Sequence, residues 1–236
     1  MQLSDVTRAR RTPGLVVLEG FHALKHALRF GGELLGTWTA DPAALEELRL
    51  RLAPDIALAA DVVAADELRQ VSPRAQVVAV ARRPAQPDAD TVLAGPGHVV
   101  LLEDPRHLGN LGAVVRVAAA AGAAGVITTG RQDPWHPDAL RGSAGLHFAL
   151  PVHRLRSVRM GGRELVALDP AGEPFAPDVL PERMLLAFGT ERDGLTDGLL
   201  ALASRRVALP MAAGVSSLNL ATAVAATLYA LKLAKT

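Results

Sequence analysis

Apolar residues recur along this chain with two different spacings. Segment 19–32, EGFHALKHALRFGG, has helical spacing and ends on Gly31 and Gly32, which predicts an amphipathic helix closed by glycine. Short β-like runs, LLGTWT at 34–39 and QVVAVA at 76–81, alternate with helical stretches at 42–52 and 64–69. That alternation predicts a small α/β domain. Beyond residue 97 the pattern is stronger. HVVLLE (98–103) is a continuous apolar run of the kind found in buried parallel strands, and a glycine-containing loop leads from it into LGAVVRVAAAAG, a helix ending near Gly122. GVITT (125–129), ELVALD (164–169), MLLAFG (184–189) and RRVALP (205–210) each predict a strand, and SSLNLATAVAATLYALKLAK (216–235) a long final helix. Repeated βα units predict an open, mostly parallel sheet whose ligands bind beyond the carboxyl ends of its strands. Between the two regions lies Arg82–Gly97, with prolines at 84, 87 and 96 and no periodicity, which predicts a linker. The expected organisation is therefore a substrate-binding domain over 1–85, a linker over 86–97 and a second α/β domain over 98–236.

Composition narrows the chemistry. The 236 residues include no cysteine, so there is no disulfide framework, thiolate nucleophile or Cys-rich zinc site. With 25 basic against 24 acidic side chains the net charge is +1, which argues against indiscriminate adhesion to polyanions but leaves room for a local patch such as Arg8, Arg10 and Arg11. Phe, Trp and Tyr total eight, too few for a base-stacking platform. The polar N-terminus lacks the apolar core of a signal peptide, and no apolar run reaches membrane-spanning length. A cytoplasmic protein without a membrane partner is expected.

Three polar clusters follow predicted strands. In DPRHLGNLGAVVR (104–116), Gly109 and Gly112 permit an unusual turn, while Asn110 and Arg116 supply polar groups near a helix start. In FGTERDGL (188–195), Glu191 can orient a ligand or pair with an arginine, and Thr196 or Asp197 can cap the helix that follows. In LPMAAGVSSLNLATA (209–223), Leu209, Pro210 and Met211 form an apolar wall, and Ser216, Ser217 and Asn219 sit at a helix start, with either serine a good N-cap. Each cluster alone fits an ordinary βα loop. His22 and His26 share a helical face without the glutamate a zincin needs, and RGSAG (141–145) lacks the order of a nucleophile elbow.

Taken in order, the clusters resemble the signature motifs of the SPOUT superfamily, specifically the SpoU/TrmH family of RNA ribose 2′-O-methyltransferases. Asp104, Pro105, Asn110, Gly112 and Arg116 are similar to its first motif, Gly189, Thr190 and Glu191 to its second, and Leu209, Pro210, Met211, Gly214, Ser217, Leu218 and Asn219 to its third. RGSAG resembles a further family stretch. Two departures stand out: RHLG separates Asp104-Pro105 from Asn110 where one residue is usual, and Ala221 replaces a common serine. The resemblance implies a C-terminal parallel-sheet domain threaded into a deep trefoil knot, a small ribosomal-protein-like RNA-binding α/β domain before it, and a homodimer with active sites near the subunit interface. It implies S-adenosylmethionine as cofactor, ribosomal or transfer RNA as substrate, and no metal. It assigns Arg116, Asn110, Glu191, Ser217 and Asn219 to catalysis, and Gly189, Leu209, Met211 and Leu218 to the cofactor. A guanidinium stays protonated, so Arg116 is expected to grip phosphate and stabilise charge developing on oxygen. Two other readings are a catalytically silent RNA-binding relative and a nucleotide-binding oxidoreductase; the latter lacks the fingerprint glycine spacing.

Overall fold

A computed structural model of the chain describes residues 1–190 and 192–234. In chain order the elements are α1 (Val6–Ala9), β1 (Leu15–Glu19), α2 (Phe21–Arg29), β2 (Leu34–Thr39), α3 (Pro42–Leu52), β3 (Asp61–Val62), α4 (Ala65–Val71), β4 (Val77–Arg82), α5 (Ala89–Ala94) and β5 (Val99–Leu102). They continue as α6 (Leu108–Ala121), β6 (Gly125–Thr128), α7 (Pro137–Gly142), β7 (Val152–Arg154), β8 (Glu164–Pro174), β9 (Met184–Phe188), α8 (Asp197–Leu202), β10 (Arg205–Ala208) and α9 (Leu220–Leu233). No described helix is long and apolar enough to cross a membrane.

Two compact units result. The first, Met1–Ala85 with Trp135–Ala149, holds a four-stranded sheet in the order β1-β4-β2-β3. Local chemistry sets its helices: Pro42 opens α3, and the Asp41 side chain accepts the Ala44 N–H at 2.9 Å. Residues 135–149 depart from the expected 98–236 domain because their partners lie here. His26 Nδ1 donates to the Ala144 carbonyl at 2.6 Å, and Gly145, at φ +79°, lies so close to the Ala23 backbone that a Cβ would collide with it. The buried Ser143 Oγ and His147 Nδ1, 2.8 Å apart, are part of this packing, and both side chains are shut off from solvent.

The second unit, Gln86–Pro134 with the chain from Leu150 onward, is an α/β fold on a six-stranded sheet in the order β10-β8-β9-β5-β6-β7. All of its pairings are parallel. β5, β6 and β9 are buried along their whole length, which is why their sequences are continuous apolar runs rather than alternating ones. α6 stops at Gly122, whose φ of +82° is left-handed, the expected glycine end.

The stretch 86–97 is not a linker. Asp88 caps α5 by accepting the Thr91 N–H at 2.7 Å, and Val92 and Leu93 enter the same core as Val99, Leu101 and Leu185. Six residues are too few to show a period, and the flanking prolines fall outside the helix, so the sequence pattern conceals it. Two arginines then close its carboxyl end. Arg163, 4% exposed, donates to the carbonyls of Leu93 at 2.7 Å, Gly95 at 2.8 Å and Val92 at 3.1 Å, and also to that of Gly97. Arg183 donates to Leu93 at 2.8 Å and Gly95 at 2.9 Å.

Candidate active site

β9 and β5 are parallel neighbours in the sheet although more than eighty residues separate them in sequence, so the order in which strands are added reverses there and a crevice opens beyond the strand ends. The first wall of that crevice is the turn after β9. Thr190 and Gly194 exchange backbone hydrogen bonds at 3.0 and 3.2 Å, and Thr190 Oγ1 accepts the Asp193 N–H at 3.0 Å. Gly189 is required for this closure, because a Cβ there would sit on the Gly194 backbone. Two links hold the turn. The Glu103 carboxylate accepts from the Thr196 N–H at 2.8 Å and its hydroxyl at 2.7 Å, and Arg106 pairs with Asp193 at 3.1 Å. Thr196 itself caps α8, as its residue type led us to expect.

The second wall is the segment after β10. α9 begins at Leu220, later than the pattern suggests, and its N-cap is Asn219 rather than Ser216 or Ser217. Asn219 Oδ1 accepts the N–H groups of Ala221 at 3.0 Å and Thr222 at 3.4 Å, while its Nδ2 donates to Asn110 Oδ1 at 3.2 Å. The bond joins the first turns of α6 and α9. With the cap supplied by Asn219, both serines are left to face the crevice.

The result is a cavity of about 430 Å³, within the usual range for small-molecule sites. Gly189, Leu209, Met211, Ser217 and Leu218 all line it, as do the apolar Phe188, Val207 and Leu220. Asn110 and Asn219 pair beside one another without lining it, and Arg116 is exposed on α6, also away from the lining. Glu191 lies outside the described residues. Sequence reasoning missed Asp169, whose half-buried carboxylate lines the cavity, accepts the Ala171 N–H at 3.0 Å and lies 3.9 Å from Arg206. The signal was an acid at the end of the ELVALD run, which looked like strand alone. An apolar wall, serine hydroxyls and a carboxylate suit a purine nucleoside bearing a positive charge, so these residues fit S-adenosylmethionine. Among the described residues, no group of three or more His, Asp or Glu side chains could hold a metal ion.

Comparison with known proteins identifies the family. The model of the SpoU rRNA Methylase family matches residues 97–229. An uncharacterized tRNA/rRNA methyltransferase of Synechocystis is 31% identical over 94% of this chain and 85% of its own length. The 23S rRNA (uridine(2479)-2′-O)-methyltransferase of Streptomyces viridochromogenes is 34% identical over 79% of this chain and 69% of its own. The crystal structure of the SpoU methyltransferase AviRb from that organism, in complex with AdoMet, superposes with a TM-score of 0.79 at 28% identity, covering 100% of this chain and 94% of AviRb. With Gly189, Thr190, Leu209, Met211, Ser217 and Leu218 gathered on one cavity and the family model matching residues 97–229, the chain belongs to the SpoU rRNA Methylase family.

Proposed function

We infer that this protein is an S-adenosylmethionine-dependent methyltransferase that modifies a ribose 2′-hydroxyl of ribosomal or transfer RNA. The observation that carries the reading is the convergence of Gly189, Leu209, Met211, Ser217 and Leu218 on one nucleoside-sized cavity at the carboxyl ends of a parallel sheet. The bound cofactor supplies an electrophilic methyl group on a sulfonium. The ribose oxygen forms a bond to that carbon as the carbon–sulfur bond breaks and its electron pair stays on sulfur, and the hydroxyl proton departs to solvent. Such a displacement demands alignment above all.

The protein's own residues provide it. Backbone groups at Gly189, Leu209, Met211 and Leu218 hold the adenosine, and Ser217 orients the polar end. Arg116 grips the phosphate beside the target ribose and stabilises negative charge on the attacking oxygen; Glu191 orients it. The Asn110–Asn219 pair fixes the first turns of α6 and α9, and so sets where Arg116 is presented. Arg116 lies outside the cavity lining, and Val215, Leu218, Tyr229 and Leu233 are exposed apolar groups in the same unit. Both observations support a homodimer in which a second copy completes each site. We further assign the C-terminal unit a deep trefoil knot, a rare exception to the unthreaded rule, and the N-terminal unit the role of a ribosomal-protein-like RNA-binding domain acting in the cytoplasm.

The test is transfer of labelled methyl from S-adenosylmethionine to unmodified ribosomal and transfer RNAs, followed by alkaline digestion. A methylated 2′-oxygen cannot attack its neighbouring phosphate, so label is expected in an alkali-resistant dinucleotide. Label released entirely in mononucleotides would refute ribose methylation, and cofactor binding without transfer to either RNA class would favour a silent relative.

A further inference from the structure

Methyl transfer makes no use of a second concave site, which lies wholly in the first unit. A cleft of about 610 Å³ is walled by four separate stretches: Arg10 and Arg11 after α1, Glu19 at the end of β1, the segment around Arg74 after α4, and His136 to Arg141 at α7. Its four guanidinium groups face two carboxylates, Glu19 and Asp138, an excess of two positive charges in one cleft of a chain whose total is +1. The near-neutral composition therefore conceals a concentrated patch, of which the sequence displayed only the Arg10–Arg11 portion.

Two of these arginines are fixed in place. Glu19, its side chain only 8% exposed, takes Arg10 at 2.6 Å, the Ser72 hydroxyl at 2.9 Å and Arg141 at 3.5 Å. Arg10 also donates to the Val71 carbonyl at 2.9 Å, and Arg141 pairs with Asp138. A buried carboxylate holding two guanidinium planes meets much of the ordering cost before a ligand arrives. Arg11 and Arg74 stand exposed in the same cleft. Planar forks of N–H donors match phosphate oxygens, and several around an open groove match a strand with successive phosphates.

We propose that this cleft binds consecutive backbone phosphates of the RNA substrate, with Arg10 and Arg141 as preset contacts and Arg11 and Arg74 closing on the strand. The proposal rests on the RNA-methyltransferase reading but on none of its catalytic residues. The test compares Arg11→Glu and Arg74→Glu with Arg51→Glu, an exposed arginine outside the cleft with the same change of charge. Binding of an unmodified 23S ribosomal RNA transcript is measured over a series of salt concentrations, beside S-adenosylmethionine affinity. Each cleft variant is expected to lose about tenfold in RNA affinity and about one unit of the slope of log K against log salt, while Arg51→Glu keeps both and cofactor affinity is equal in all. Cleft variants indistinguishable from Arg51→Glu, or a parent protein whose RNA binding ignores salt, would overturn the proposal. The two readings fail separately. RNA binding that depends on the cleft without any 2′-O-methyl product sinks the transfer reading alone, and methyl product with cleft variants that bind normally sinks the cleft alone.

Discussion

Replacing Arg163 by methionine removes a buried guanidinium while nearly preserving side-chain volume, and the structure fixes what is left behind. Burial, and after it the charge of Arg183, lowers the pKa of Arg163 from its ordinary value, the mark of a cation held without a carboxylate. Its partners are carbonyls at the end of α5 and beyond. In the variant, Leu93 and Gly95 keep Arg183 as donor and the β9 carbonyl of Met184 loses only a long 3.4 Å contact, whereas Val92 and Gly97 keep no arginine. Two orphaned carbonyls at roughly 1–3 kcal/mol each give a loss of about 2–6 kcal/mol, reduced because methionine no longer desolvates a charge. We expect about 3 kcal/mol, which for a chain of this size lowers the melting temperature by about 6–12 °C. Thermal and urea unfolding followed by circular dichroism measure it. The chain has two units, so the relevant transition is the one that saturating S-adenosylmethionine moves upward. A loss below about 1 kcal/mol, or one confined to the other transition, would refute the reasoning.

Arg116→Ala is expected to cut turnover by about 10²- to 10³-fold while leaving cofactor affinity nearly unchanged; equal loss of both in isothermal titration and methyl transfer would remove Arg116 from the transition state. Gly189→Ala forces the 190–194 turn open, so cofactor affinity should fall at least tenfold by equilibrium dialysis with little change in far-UV signal, and unchanged affinity would mean that the turn is not part of the binding wall. His26 has its pKa lowered from 6.5, first by burial, which the bond to the Ala144 carbonyl opposes, and then by Lys25, Arg29 and His22. The unfolded chain therefore takes up the proton first, and stability of the first unit should fall as pH drops below 6.5. Urea midpoints at neutral and mildly acid pH should converge in His26→Asn relative to the parent, and an equal pH dependence in both would assign the effect elsewhere.

Much of the architecture was legible because it is encoded locally. The buried strands announce themselves in HVVLLE, GVITT and MLLAFG, and α3 runs over 42–52 as its pattern and Pro42 suggest. Elements that lacked room for a period were not legible: the two residues of β3, the three of β7 and the six of α5. The site divides the same way. Gly189, Leu209, Met211, Ser217 and Leu218 could be named from spacing and resemblance, whereas Asp169 was not, since β8 runs past it to Pro174 and only the fold sets this position on the cavity.

By itself, then, the sequence determined the βα alternation, the absence of thiol chemistry and the ordered motif residues, because periodicity, composition and turn chemistry depend on neighbours a few positions away. Tertiary structure alone decided which groups meet. It chose Asn219 over the serines as cap of α9 by giving its amide a second partner in Asn110, and it set Gly189, Thr190, Leu209, Met211, Ser217 and Leu218 on one cavity. It also gathered Arg10, Arg74 and Arg141 from three distant stretches into one cleft, and moved residues 135–149 into the first unit. Such meetings depend on strand order and on the burial of one segment against another, and those are fixed only when the whole chain has found the arrangement that buries its apolar runs together.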